Sequence, residues 1–407
     1  MRNKKHFILF IIIIAMTCIM ISDSFSQVGL NINFWTVADG NTFRNYENLA
    51  DVIYQPNITI FYDHSGSKGG TRLLYEGSAF LFNEFTTRQY HYHNLGITGN
   101  RSMGESGPVL LWGIRGGKRY NKDEYKYYDY KHAQGYMNLR FDGNGIWVLG
   151  TQVRFQDYEE LSQFSFWETQ GFIRGSFFLK TRTTIIGRMQ AGFKKFTESL
   201  ISEEIILEMV GGGMHGKSNG HSQSNNQSGN ERTWTRVVQV ESSQDGVFQW
   251  IGSLRLAQSI GVKTGLAIEG TIQRNPKGGG RVLSGQDSGY ETNDILFDDP
   301  YSYDSDKISL ELTQMLPWNT QLKLGAESSL KRYDRPVYDL EGSPLEGLLR
   351  RDTLQTGWIS LRKTIPLKGF VKGLIVFLYY NYINNDSNDG YFNYANRMTG
   401  LGCNFSL

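Results

Sequence analysis

Cysteine is nearly missing from this 407-residue chain: Cys18 and Cys403 are the only two. Cys18 lies in an apolar run near the start, before Ile19-Met20-Ile21, where a lipid-anchor reading fits poorly. If that run is removed, no intrachain disulfide can form. Charge of one sign is also lacking, since 42 basic residues face 40 acidic ones. A balance so near zero gives no support for nucleic-acid binding. After the first 26 residues no stretch reaches 18 consecutive apolar residues, which excludes helical membrane spans there. The G-x-S-x-G spelling occurs once, at 216–220, inside a polar low-complexity stretch without the strand and helix that such a motif needs. The chain is therefore expected not to be an enzyme and to need no cofactor.

What is present starts with Met1-Arg2-Asn3-Lys4-Lys5-His6, then an apolar run from Phe7 to Ile21, then Ser22-Asp23-Ser24-Phe25-Ser26. A basic start, a short apolar run and small residues at a cut site read as a Sec-type signal peptide over 1–26. Its loss takes Arg2, Lys4, Lys5 and Asp23 with it, so the formal charge of +2 falls to zero. An uncleaved anchor is the alternative. The rest, 27–407, is rich in glycine (46), tyrosine (23) and phenylalanine (24), and proline is scarce at 8. Aromatics suit strands and membrane interfaces, and glycine suits turns and crowded sheet walls.

The last ten residues carry the sharpest pattern. Leu401, Cys403, Phe405 and Leu407 fall on one parity, and Gly400, Gly402, Asn404 and Ser406 on the other. Period-two alternation is a strand with one apolar and one polar face. The middle of the chain repeats it. Ala133, Gly135, Met137, Leu139 and Phe141 oppose Gln134, Asn138 and Arg140, and Asp142-Gly143-Asn144-Gly145 is a hairpin turn. From there the connections alternate tight and long. The tight ones fall at 142–145, Lys180, Gly261, Pro317-Trp318 and 366–369, and the largest long ones at 197–244 and 276–304. The stretch 334–350 reads as another loop, and Glu203–Val210 as a short helix or strand. The count is about sixteen strands, with fourteen and eighteen as bounds. Phe164–Phe178 and Phe370–Ile383 alternate poorly, with apolar residues on both faces.

These strands and the closing alternation resemble the bacterial outer-membrane β-barrels, although those usually end in an aromatic residue and this chain ends in Leu407. The resemblance reaches no single family. It implies an all-β transmembrane antiparallel up-and-down β-barrel in the outer membrane, with short periplasmic turns and long external loops. It also implies outer-membrane lipid and lipopolysaccharide as surroundings, and the barrel-assembly machinery as a partner of the C-terminal strand.

Strand parity then sets the inward face: Arg115, Arg140, Arg154, Arg188, Arg255, Lys323 and Lys331, with Glu269, Glu311 and Glu327. Each such charge costs a few kcal/mol at mid-depth in lipid, so these side chains must meet water or one another. One reading is a passive pore for small hydrophilic solutes, its basic residues favouring anions and Glu203–Val210 folded inward as a constriction. The alternative is a closed barrel filled with ion pairs, with a structural, adhesive or ligand-binding role through its external loops. Other motifs carry less. Gly211–Ser218 matches G-x-x-x-x-G-K-[ST], but no helix follows it to hold phosphates. His91 and His93 share a strand face without a Cys or carboxylate at ligand spacing, so no metal site is expected and an aromatic girdle with Tyr90 and Tyr92 is. Asp298, Asp299, Asp304 and Asp306, and Asn384–Gly390, read as solvated loops; neither has the spacing of a calcium loop.

Overall fold

A computed structural model describes residues 26–198, 203–209, 234–240, 246–276, 280–281, 295–296, 298–338, 344–367 and 373–406. The expected signal segment, but for Ser26, and the phosphate-loop look-alike 211–218 lie outside the described residues. Eighteen strands are described. They are β1 (Ser26–Asp39), β2 (Asp51–Gly66), β3 (Gly69–Phe82), β4 (Tyr90–Ser102), β5 (Val109–Asn121), β6 (Tyr130–Asp142), β7 (Gly145–Tyr158), β8 (Phe166–Phe178) and β9 (Thr183–Phe196). Then come β10 (Glu203–Met209), β11 (Trp234–Val240), β12 (Gly246–Ile260), β13 (Thr264–Arg274), β14 (Tyr303–Leu316), β15 (Thr320–Tyr338), β16 (Pro344–Pro366), β17 (Gly373–Ser387) and β18 (Tyr394–Ser406). Sixteen of them close an antiparallel barrel in chain order, with β18 returning to β1 and β9 pairing directly with β12. β10 and β11 pair with each other as a separate two-stranded sheet, so they do not enlarge the wall.

Closure satisfies the edges of the sixteen-strand wall, which is what a sheet in hydrocarbon requires. The outer belt is apolar: Leu95, Ile114, Met137, Met189, Leu254, Ile308 and Leu401 are all exposed. Cys403 shares this outward parity and is a free thiol. One rim carries both strand termini and the short turns. The other carries the long connections and five short 3-10 helices, and it is the outer rim of such a barrel.

The tight–long rhythm read from the chain matches these connections. The reading of 334–350 as a loop does not hold, because β15 runs to Tyr338 and β16 starts at Pro344. That hairpin rises beyond its neighbours and carries register shifts between Arg332, Pro336 and Val337. Pro336 and Pro344 disguised it, since proline is tolerated where a hairpin is free of neighbours on its far edge.

The two poorly alternating strands keep an unbroken register, so no bulge explains them. Their inward aromatics pack inside the wall. A Cβ on Gly150 would stand 2.3 Å from the Phe172 ring, and one on Gly402 would stand 2.5 Å from the Trp35 ring. Trp35 in turn stacks on Phe377 with ring centres 5.2 Å apart. Glycines on neighbouring strands make room for rings facing the interior.

Candidate functional site: a charged lumen under an inward strap

The inner wall is built in tiers by direct cross-strand neighbours. An outer tier runs Arg115, Gln134, Arg154, Glu168, Lys194 across β5 to β9. Three rows closer to the turns an inner tier runs Arg140, Val148, Arg174, Arg188 across β6 to β9. On the facing wall Arg255 bonds Glu269 at 3.3 Å and Glu311 at 3.2 Å, Lys323 meets Glu311 at 3.4 Å, and Lys307 meets Glu327 at 3.4 Å. All ten inward-parity residues named from the sequence therefore lie on the interior face, opposite the apolar belt.

Their partners divide the lumen. The β12–β15 wall is a ladder of matched charges. On the β5–β9 wall Arg154 pairs with Glu168 and Arg140 with Asp142 at 2.9 Å. Among the described residues, Arg115, Arg174 and Arg188 have no carboxylate within ion-pair distance. Arg115 donates to Gln134 at 2.9 and 3.1 Å, and Arg188 donates to Gln190 at 2.6 Å.

The mouth is narrowed by a feature that parity could not supply. Segment 298–302, between β13 and β14, folds against the inner wall. Asp299 accepts from Lys194 at 2.5 Å, each side chain only 1% exposed. Asp298 accepts from Lys331 of β15, and from the Tyr333 hydroxyl at 3.1 Å. The Tyr301 hydroxyl donates to Glu168 of β8 at 3.1 Å. The Pro300 carbonyl accepts from Gln249, Gln273 and Asn275 at 2.8, 2.7 and 3.1 Å. The strap is thereby held to β8, β9, β12, β13 and β15. Leu296, just before it, packs with Tyr158 at the end of β7 and with Tyr125, Tyr128, Leu161 and Phe164 of the loops entering β6 and β8. Burial holds the Asp299 carboxyl above the usual carboxylate range against the opposing pull of Lys194. Burial and the nearby Glu168 raise the Tyr301 hydroxyl.

Asp299 is thus buried, and not solvated as the sequence had implied, whereas Asp298 and Asp306 stay about a third exposed beside their cations. Asp304 accepts from the Asn275 amide at 2.7 Å, and Asp306 from Arg274 at 2.6 Å and Arg332 at 2.8 Å. No group of three or more metal-ligating side chains occurs among the described residues. His91 and His93 face outward at the outer rim beside Tyr75 and Tyr120, whereas Tyr90 and Tyr92 face inward around Arg119. The girdle is therefore made by different tyrosines from those expected. Near the end of β17, Asp389 accepts from the Tyr391 amide at 3.1 Å as a helix cap. Glu168 and Arg174 were missing from the sequence-based set because the aromatics of β8 concealed its alternation, and Lys194 of β9, which shares the parity of Arg188, was missing as well.

No protein-family model and no curated protein sequence matches the chain. Solved structures do. CdiB from Acinetobacter baumannii is similar at 12% identity and TM-score 0.50, over 93% of this chain and 60% of that one. A loop L8 deletion mutant of OmpT, an outer membrane protein of Vibrio cholerae, is similar at 11% identity and TM-score 0.45, over 94% and 99%. Pseudomonas aeruginosa OccK1 (OpdK) is similar at 9% identity and TM-score 0.46, over 94% and 98%. The likeness to CdiB is one of fold, and it joins the edge-free wall, the apolar belt and the charged interior: the chain is an outer-membrane β-barrel protein.

Proposed function

We propose that this barrel is a passive pore for small hydrophilic solutes, with a preference for anions. The observation that carries the reading is the size of the wall against the charge inside it. Sixteen strands spaced ~4.8 Å apart and tilted by ~40° close to a backbone cylinder on the order of 30 Å across. By the size rule for barrels, facing side chains would not fill that width and a polar interior would hold water. The unmatched Arg115, Arg174 and Arg188 give one wall a positive field, while the paired β12–β15 wall stays near neutral; this favours entry of anions. The strap lies against the inner wall at the mouth.

The second reading, a closed barrel acting through its external loops, draws on the same strap, which is tied to five strands. Refolded protein in a planar bilayer separates the two. The pore reading expects discrete conductance steps and, under a KCl gradient, a reversal potential on the chloride side of zero. The Arg115→Glu and Arg154→Glu variants move it toward potassium. A silent bilayer from correctly folded protein selects the closed barrel.

A further inference from the structure

We infer that Arg174 and Arg188 form a binding site on the lumen wall for a small hydroxylated carboxylate such as a sugar acid, the acid group lying on the two guanidinium groups. The inference rests on a water-filled lumen and adds a ligand class to it.

The two arginines are direct cross-strand partners on β8 and β9, both inward. Like charges placed opposite one another destabilise a sheet pair unless something between them carries the opposite sign. No carboxylate among the described residues does so. Arg188 is nevertheless held in place. Its guanidinium lies 4.7 Å from the centre of the Phe172 ring, and that ring is seated over Gly150. Its Nη2 donates to Gln190 at 2.6 Å, and Gln190 donates to Gln170 at 3.0 Å. Gln170 donates to Glu168, the same carboxylate that Tyr301 of the strap and Arg154 hold. A stacked and bridled guanidinium loses little freedom on meeting an anion, and its planar donor set suits a carboxylate.

The far side of Phe172 borders a recess in the lumen wall of about 650 Å³. Asn100, Asn138, Gln152 and Tyr136 line it with Phe172. The Tyr136 ring lies over Gly113, where a Cβ would stand 2.6 Å from it. The Asn138 Oδ1 atom is enclosed and takes no hydrogen bond from the protein. Amide groups that donate and accept, beside a ring laid flat on the wall, suit a body bearing hydroxyls on an apolar ring face. The acid site and the recess meet at Phe172, so a single small solute reaches both.

Calorimetry on the folded protein in detergent, with D-glucuronate, D-glucose and acetate as probes, tests this without needing conduction. The expected result is that glucuronate binds tighter than either of the others. Arg174→Gln/Arg188→Gln weakens it about tenfold or more, through loss of charge-assisted hydrogen bonds. Phe172→Ala also weakens it, while Lys131→Gln on the outer face does not. Far-ultraviolet circular dichroism and heat-modifiable migration check that each variant folds. Glucuronate binding no better than acetate, or binding unchanged in the folded double variant, overturns the assignment. A conducting channel without glucuronate binding sinks this site and leaves the pore; binding without conductance sinks the pore and leaves the site.

Discussion

Lys194 and Asp299 concentrate the cost of the strap in one pair of side chains. Both are 1% exposed, and removing one partner leaves a buried charge without its opposite. Asp299→Asn is expected to destabilise the strap by ~3–5 kcal/mol, whereas Lys194→Met/Asp299→Leu regains most of that loss. Limited chymotrypsin cleavage at Tyr301 measures it, fast in the single variant and slow in the double. A gentler effect belongs to Glu159 at the outer rim. Hydrogen bonds from Lys118 and Lys131, at 2.6 and 2.9 Å, hold its carboxyl below the usual carboxylate range. A depressed carboxyl stabilises the fold above its unfolded value, and the gain disappears as pH falls through the folded value. The half-exposed site screens it. The thermal midpoint of wild type should exceed that of Glu159→Gln slightly at neutral pH and low salt, and the two should converge in acid or in high salt.

At the scale of elements, the legible and the illegible divide by whether a residue's surroundings are local. Alternation along β6, β7 and β18 was readable because a strand's two faces meet two different solvents, and each residue reports its own. Turn positions were readable from Gly, Asn and Pro. The strap was not, since Asp298, Asp299 and Tyr301 take their meaning from Lys331, Lys194 and Glu168, which lie on strands distant in the chain. Parity of β8 and β17 was blurred because rings such as Phe172 and Tyr379 face inward over glycines contributed by other strands. That arrangement is itself testable. Gly402→Ala places a methyl group 2.5 Å from the Trp35 ring and must displace it from Phe377. Overpacking of this kind costs ~1–3 kcal/mol. A lower midpoint of heat-modifiable migration is expected, with recovery when Trp35→Leu is added.

The whole molecule follows from one division of surroundings. Edge closure removes unpaired backbone from lipid, and sixteen strands leave an interior wide enough for water. Charges that would be costly in hydrocarbon lie on the interior face, and in the proposed pore they would form its working surface, balanced on the β12–β15 wall and in excess on the β5–β9 wall. The strap ties to both walls, Asp299 to Lys194 of β9 and Asp298 to Lys331 of β15. The most direct measurement is a run of single cysteines at 254, 255, 256 and 257 of β12, introduced with Cys403→Ser and reconstituted in bilayers. A fluorophore at 254 and 256 should be quenched by a lipid-borne quencher and spared by iodide, and at 255 and 257 the order should reverse. Equal quenching by lipid at all four positions would contradict a water-filled lumen, and equal quenching by iodide would contradict the membrane wall.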